Sequence, residues 1–480
     1  MAMMTSKQYM ESLRRLKTKV YAFGERVDDV VKHPATAPHV SCAAMTYGLA
    51  GTKEGKPLLT AKSHFTGKTV NRFLHIHQSA DDLVTKVKML RFLAQRTGSC
   101  FQRCVGFDGI NAVYSTTAEI DETKGTDYHG RLVEYVKDMQ EKDLMICGAM
   151  TDSKGDRSLP PHQQPEPDVF VHVTERRKDG IVISGSKQHQ TGAVNSHEIL
   201  LMPTIALREA DSDFAVACAV PADAPGVTMV FGRQSNDYRK LLNERTDVGN
   251  PAFGLVGGEA IIIFEDVFVP WDRVFMCGEY EFSGMLVERF ASLHRQNYGG
   301  CKGGVSDVIT GATALVAELN GAAKASHVRD KITEMIHLTE TLYCCSIACS
   351  SEGIKTKSGA YIVDPLLANV CKHNVTRYIY EISRLSHDIA GGVIATLPSE
   401  KDFRNEEIGE LLHKHYTAVA SSSAADRVRV CRLIENMTAG TALVESMHGA
   451  GSPQAQRVMI YRQGNLDQKK AFAKVLCGIK

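Results

Sequence analysis

The chain has 480 residues, 43% apolar and 23% charged, the composition of a globular protein large enough for two or three compact units. Its 56 basic residues are offset by 55 acidic ones with no long run of either sign, which argues against a nucleic-acid or anionic-membrane partner. The N-terminus lacks the apolar core of a signal peptide, no apolar run approaches the ~20 residues that span a bilayer, and thirteen cysteines is an odd number; a cytoplasmic protein with free or metal-bound thiols is expected.

Residues 1–145 carry helical periodicity. "TSKQYMESLRRLKTKVYAFG" offers Thr5 as a cap and a glycine stop, and "SADDLVTKVKMLRFLAQRTG" repeats the pattern. Between 146 and 280 the runs "DVFVHVTERRKDGIVISGSK", "FAVACAVP" and "EAIIIFEDVFVP" are β-branched and bounded by Gly, Pro and Asp, the marks of short antiparallel strands. From 281 to 480 the chain is helical again, with a floppy stretch expected around 399–409. The predicted class is α+β, in the order helices, small β domain, helices.

In "GSCFQRCVGFDGINA", Cys100 and Cys104 stand four apart in a run that reads as helix, so both sulfurs would share one face. On spacing alone, two buried core thiols are the simpler reading of the pair, ahead of half a metal site. "LHRQNYGGCKGG" offers a second half, His294 and Cys301, around a Gly-Gly pair that permits a turn or a close backbone approach. One imidazole and three thiolates suit zinc, and equally an iron–sulfur cluster with one iron held by imidazole. The group Cys344, Cys345 and Cys349 has helical spacing and no nearby His, and is assigned to core packing.

Two polar stretches in the β region, "GAMTDSKGDRS" (148–158) and "GSKQHQTGAVNSHE" (185–198), have the donors to hold a planar heterocycle and its phosphates, although hairpin loops have the same composition. There is no Rossmann or phosphate-loop fingerprint. Near the C-terminus "VESMHGAGSPQAQR" sets Glu445 and His448 beside a break in helix, and Glu259 opens a strand that reads as buried.

"MTDSKGDRS", "KQHQTGAVNSHE", "CFQRC", "HRQNYGGCK" and "ESMHGAGSPQAQR" together resemble the 4-hydroxyphenylacetate 3-hydroxylase flavoproteins, and within that group the 4-hydroxybutyryl-CoA dehydratases. The resemblance implies an acyl-CoA-dehydrogenase-like fold with an N-terminal helical domain, a central antiparallel β-barrel and a C-terminal helix bundle that builds a homotetramer. It implies FAD and a four-iron four-sulfur cluster, with Cys100, Cys104, His294 and Cys301 as cluster ligands. Flavin would be held by Ala149, Met150, Thr151, Lys154, Gly155, Asp156 and Arg157, and by Gln190, Thr191 and Gly192 with Thr191 near the ring. His448, Gly449, Ala450 and Gly451 would reach it from a neighbouring subunit.

The implied reaction removes water from 4-hydroxybutyryl-CoA to give crotonyl-CoA, with vinylacetyl-CoA isomerisation as a subset of the same proton transfers. Proton loss at C3, which the thioester does not activate, would be eased by a temporary one-electron transfer to the flavin. His294 would be both ligand and base, Tyr298 and Glu445 would handle protons, and Lys302, Gln102, Arg91 and Glu259 would orient substrate or balance charge. The implied cluster also predicts sensitivity to oxygen. The alternatives are a flavin-dependent aromatic hydroxylase without a cluster and a zinc-stabilised scaffold protein.

Overall fold

The computed structural model describes residues 3–242, 244–254 and 258–479. Thr5 opens the first helix, Ser6–Arg15, by a reciprocal cap in which its hydroxyl accepts the Gln8 N–H and the Gln8 side chain accepts the Thr5 N–H. That helix stops well before the glycine expected to end it. Val20–Ala22, β-branched and aromatic, leaves instead as a strand that lies parallel to Val227–Phe231. Ala80–Thr97 forms as its pattern requires, capped by Ser79 and closed by Gly98 in the left-handed conformation (φ 60°). Cys104–Lys124 and Tyr128–Lys142 complete the N-terminal helices.

The strands form two open sheets. The larger runs Glu25–Arg26, Val20–Ala22, Val227–Phe231, Ala260–Pro270, Gly180–Gln190, His172–Arg176, and both of its edge strands carry charged side chains that discourage further pairing. The smaller runs Val274–Cys277, Val216–Pro221, Glu198–Leu201, Ile146–Ala149. The expected closed antiparallel barrel is therefore absent among the described residues. Val20–Ala22 and Ile146–Ala149 each arrive from a helix and lie parallel to a strand from much further along the chain, so the strands do not zip up as consecutive hairpins.

The C-terminal part is helical and is organised by one element, the long helix Ser283–Leu319, which at 37 residues is about 55 Å from end to end. It packs on Ala80–Thr97 and Cys104–Lys124 from the N-terminal part, and on Ser326–Ser351 and Pro365–Ala390 from its own. The Gly299–Gly300 pair makes no turn; it permits contact. A Cβ on Gly299 would lie 2.5 Å from the Leu342 carbonyl oxygen and 2.4 Å from the Ser346 Cβ, and one on Gly300 would lie 2.8 Å from the Val87 oxygen.

Two smaller expectations are corrected. Of the cysteines assigned to core packing only Cys349 is buried; Cys344 points to solvent, because the helix Ser326–Ser351 presents just one face to its neighbours. The stretch around 399–409 is a capped turn of helix, Glu400–Phe403, tied by Ser399 and Glu400 to Asp247. All thirteen cysteines are free thiols, and among the described residues no helix is long and apolar enough to cross a membrane.

Gly299→Ala is expected to destabilise the protein by about 1–3 kcal/mol through overpacking of the helix crossing. A denaturant melt that matches the parent would show that the crossing can relax.

Candidate active site

Cys100 is not on a helix. Gly98 ends one helix, Cys104 begins the next, and between them residues 99–103 form a tight loop in which Gln102 adopts a positive φ of 68°. The two sulfurs come together through this loop rather than through i, i+4 spacing. Gln102 makes the loop part of the β region: its Oε1 accepts the Gly192 N–H at 2.9 Å, and its own N–H faces the Cys100 sulfur at 3.4 Å. Gly192 (φ 78°) cannot carry a side chain here, since a Cβ would lie 2.6 Å from the Gln102 carbonyl oxygen.

From the long helix, His294, Tyr298, Cys301 and Lys302 project at helical spacing along one face. Cys301 lies close enough to raise the pKa of both Cys100 and Cys104, and Cys100 raises that of Cys104. Burial is the largest cause of that rise, and it brings Cys301 to about 11. His294 is fixed from behind: its Nδ1 donates to Asp108 Oδ2 at 2.7 Å, which leaves the Nε2 lone pair free, with no hydrogen bond to Nε2 among the described residues. Asp108 is fully buried, accepts also from Asn297 Nδ2 at 2.5 Å, and pairs with Lys86 at 2.5 Å.

Three thiols that resist ionisation by burial, and an imidazole oriented by a carboxylate, are the donors a metal centre needs once metal replaces the thiol protons. No three such side chains converge tightly enough among the described residues to wrap a single ion.

Beside these ligands lies a network of proton-bearing groups. Tyr298 OH donates to Glu445 Oε1 at 2.8 Å, and Lys302 pairs with Glu445 Oε2. Burial alone would raise the Glu445 pKa, and the Lys302 ammonium and the Tyr298 hydroxyl more than reverse it, so Glu445 is a carboxylate at neutral pH. Glu259 is the opposite case: burial and the charge of Glu445 push it up to about 8, although its carboxyl accepts from the Thr191 hydroxyl at 3.1 Å. Glu259 lies just before its strand, half-buried, rather than within it. The turn after Glu445 closes on Tyr298 so tightly that a Cβ on Gly449 would overlap the phenol oxygen.

The flavin-candidate residues gather on the sheet side of the same region. Ala149 and Met150 end a buried strand whose carbonyls are held by Met202 N–H and by Lys187. The Thr151 carbonyl accepts from Gln190 Nε2 at 3.0 Å. Lys154 (φ 74°) and Gly155 (φ 48°) make a sharp turn that leaves Gly155, Asp156 and Arg157 exposed. Lys154 and His448 lie near His189; burial, then Lys154 and His448, lower the His189 pKa. Basic side chains gathered at a turn of this kind suit an electron-rich ring or a phosphate. Within the single chain, residues 448–451 sit on their own Tyr298 and Arg295, with Arg295 Nε donating to the Ala450 oxygen at 3.0 Å.

Arg91 is not brought to this site. Its guanidinium is taken up by Asp307 and Glu340 and lies over the Tyr343 ring, joining helices on another face. Three residues of the site were missed in the sequence. Asp108 carried a readable signal, an acid four residues after Cys104 in an otherwise apolar run. Lys86 and Lys372 carried none, since each is one lysine in an ordinary helix. Lys372 is buried with its ammonium 3.8 Å from the Tyr298 ring centre, donates to the Ser446 oxygen at 2.5 Å, and is pushed down to about 7 by burial.

This architecture and donor set define a class. Residues 5–276 match the family described as 4-hydroxyphenylacetate 3-hydroxylase N terminal, residues 283–478 match its C-terminal counterpart, and the chain belongs to that family. Within it, the chain is 55% identical, over the full length of both, to the 4-hydroxybutyryl-CoA dehydratase/vinylacetyl-CoA-Δ-isomerase of Clostridium aminobutyricum. It superposes with a TM-score of 0.97 and 53% identity on the oxygen-tolerant archaeal 4-hydroxybutyryl-CoA dehydratase of N. maritimus, covering 100% of this chain and 96% of that one. The oxygenase component of 4-hydroxyphenylacetate 3-monooxygenase from Geobacillus sp. is 27% identical over 90% of this chain and 87% of its own. The FAD complex of such an oxygenase shares the fold, with a TM-score of 0.85 at 23% identity and 99% of each chain covered.

Glu259 has a folded pKa of about 8 against an ordinary value of 4.5, so below pH 4.5 it costs nothing, and stability falls as pH rises towards 8 while the unfolded chain alone gives up the proton. Glu259→Gln should therefore gain melting temperature relative to the parent when both are moved from about pH 5 to above pH 8. An equal difference at both pH values would show that Glu259 ionises normally.

Proposed function

We propose that this protein dehydrates 4-hydroxybutyryl-CoA to crotonyl-CoA and isomerises vinylacetyl-CoA, as the name of its 55%-identical relative states for that protein. The observation that carries the reading is the meeting of Cys100, Cys104, Cys301 and an Asp108-oriented His294 beside the Tyr298–Glu445–Lys302 network. We take the three thiols and the imidazole as ligands of a four-iron four-sulfur cluster. FAD is assigned to the 149–157 and 190–192 segments, with residues 448–451 of a neighbouring subunit completing its site. When bound, the flavin would supply a reversible one-electron store and the cluster a Lewis-acid position for the leaving hydroxyl.

The chain's own groups divide the proton work. Lys302 keeps Glu445 ionised as an acceptor, and Tyr298 OH, hydrogen-bonded to it, can pass a proton between substrate and Glu445 Oε1. Glu259 stays protonated at neutral pH and can return a proton, with Thr191 fixing its carboxyl. Asp108 commits the His294 lone pair to Nε2, where it serves as ligand or base. Gln102 braces the cysteine loop against Gly192.

We further read 1–145, 146–280 and 281–480 as domains in an acyl-CoA-dehydrogenase-like order. The passage from strand to helix between Cys277 and Ser283, where the two matched family regions also divide, supports this. Exposed apolar side chains on the last helices, Tyr461, Phe472, Val475 and Leu476, support a homotetramer. The free thiols support a cytoplasmic location.

Anaerobic purification followed by iron, sulfide and flavin analysis and an assay for crotonyl-CoA tests the assignment. Yellow protein without iron that hydroxylates phenols would replace it with the aromatic hydroxylase. Cys301→Ala should lose iron and activity together while helical content persists, and full turnover in that variant would remove the cluster from the reaction. Tyr298→Phe should keep both cofactors and slow turnover by about 100-fold, the usual size of an acid–base contribution; an unchanged kcat would exclude it.

A further inference from the structure

The short helix Gly440–His448 carries Glu445 and Ser446 into the wall of a small cavity that Cys100 and Lys302 also line. Both of its ends are tied to one neighbour, the helix Pro365–Ala390. Just before its first turn the Thr438 hydroxyl shares a 2.6 Å bond with His387. In its last turn Lys372 donates to the Ser446 oxygen at 2.5 Å and to the Met447 oxygen at 3.4 Å, carbonyls that the ending helix leaves without an amide.

Lys372 is fully buried, and its amine lies 3.8 Å from the centre of the Tyr298 ring. The same ring packs on Val375, one turn further along the helix of Lys372, and on Leu342 and Ala450. Gly449 leaves the phenol no room to shift towards the turn. Tyr298 and Glu445 stand on different helices and are joined by one 2.8 Å hydrogen bond. Lys372 touches the ring of the first and the turn that carries the second. A hydrocarbon side chain could fill its place against the ring, but it would leave both carbonyls unpaired and the end of the helix untied.

Resting on the dehydratase reading above, we propose that Lys372 is a positioning residue for the proton transfers: it caps the Glu445 helix against the face of the Tyr298 ring and so sets the Tyr298–Glu445 hydrogen bond. Both of its own hydrogen bonds are to backbone, and it acts through the phenol and the carboxylate.

A double-mutant cycle on anaerobically purified enzyme tests this. Lys372→Met, similar in length and without an N–H, should slow kcat by about tenfold, less than loss of the phenol itself, while KM, flavin and iron stay at the parental values. Lys372→Gln keeps an N–H for the Ser446 oxygen and should slow kcat by only about threefold. Added to Tyr298→Phe, which already lacks the hydrogen bond, neither change should slow turnover further, because residues that act through one contact are not additive. Should Lys372→Met not fold, the same comparison is made with Lys372→Gln. A parental kcat in the variant compared, a loss that multiplies with that of Tyr298→Phe, or release of flavin or iron from the folded variant would overturn the assignment. A parent enzyme that forms no crotonyl-CoA would sink the dehydratase reading itself, which separates the two failures.

Discussion

A carboxylate shut away from water holds the two halves of the site in register. Asp108, on Cys104–Lys124, accepts from His294 and Asn297 of the long helix and from Lys86 of Ala80–Thr97, so three helices meet at one charge. A buried charge robbed of a partner costs several kcal/mol, and a slide of one helix along another would break more than one of these bonds. Because Asp108 stands one turn after Cys104 and His294 two turns before Cys301, the same bonds fix the distance between the cysteine loop and the long helix. The glycines at 299, 300 and 304 let the neighbouring backbones come close enough for those bonds to form.

On this frame two carboxyl groups acquire opposite characters. Glu445 has an ammonium and a phenol to stabilise its charge; Glu259 has a hydroxyl and the unwelcome field of Glu445. At neutral pH one is a base and the other an acid, and this division of labour arises from their surroundings alone. Lys372 sets its amine beneath the Tyr298 ring and clamps the end of the helix carrying Glu445, tying the phenol's position to that of the carboxylate.

Much of this could be read in the sequence because it rests on local signals. Thr5 and Ser79 are caps, the β-branched runs became strands, and the cysteines and His294 stood out by residue type. The failures came where long-range packing decides. "KVYAFG" reads as the tail of a helix until a strand two hundred residues away offers it a ladder. Cys100 and Cys104 share a region by virtue of a loop whose strained Gln102 is held by Gly192, a partner no periodicity reveals. Arg91 had the chemistry of a site residue and was claimed by acids on two other helices. Open sheets replaced a barrel for the same reason: pairing order is a property of the whole chain.

The parallel pairing of Val20–Ala22 with Val227–Phe231 has a bearing on how the molecule is made. On the ribosome that early segment can pair at once only with Glu25–Arg26, and its other edge stays unsatisfied until residue 231 has cleared the exit tunnel. The larger sheet is therefore finished by a contact of high sequence separation, a slow event by nature, and the growing N-terminal half is left with a sticky ribbon for most of its synthesis. Protein made too fast for that wait would aggregate at this ribbon, well away from the residues that do the chemistry.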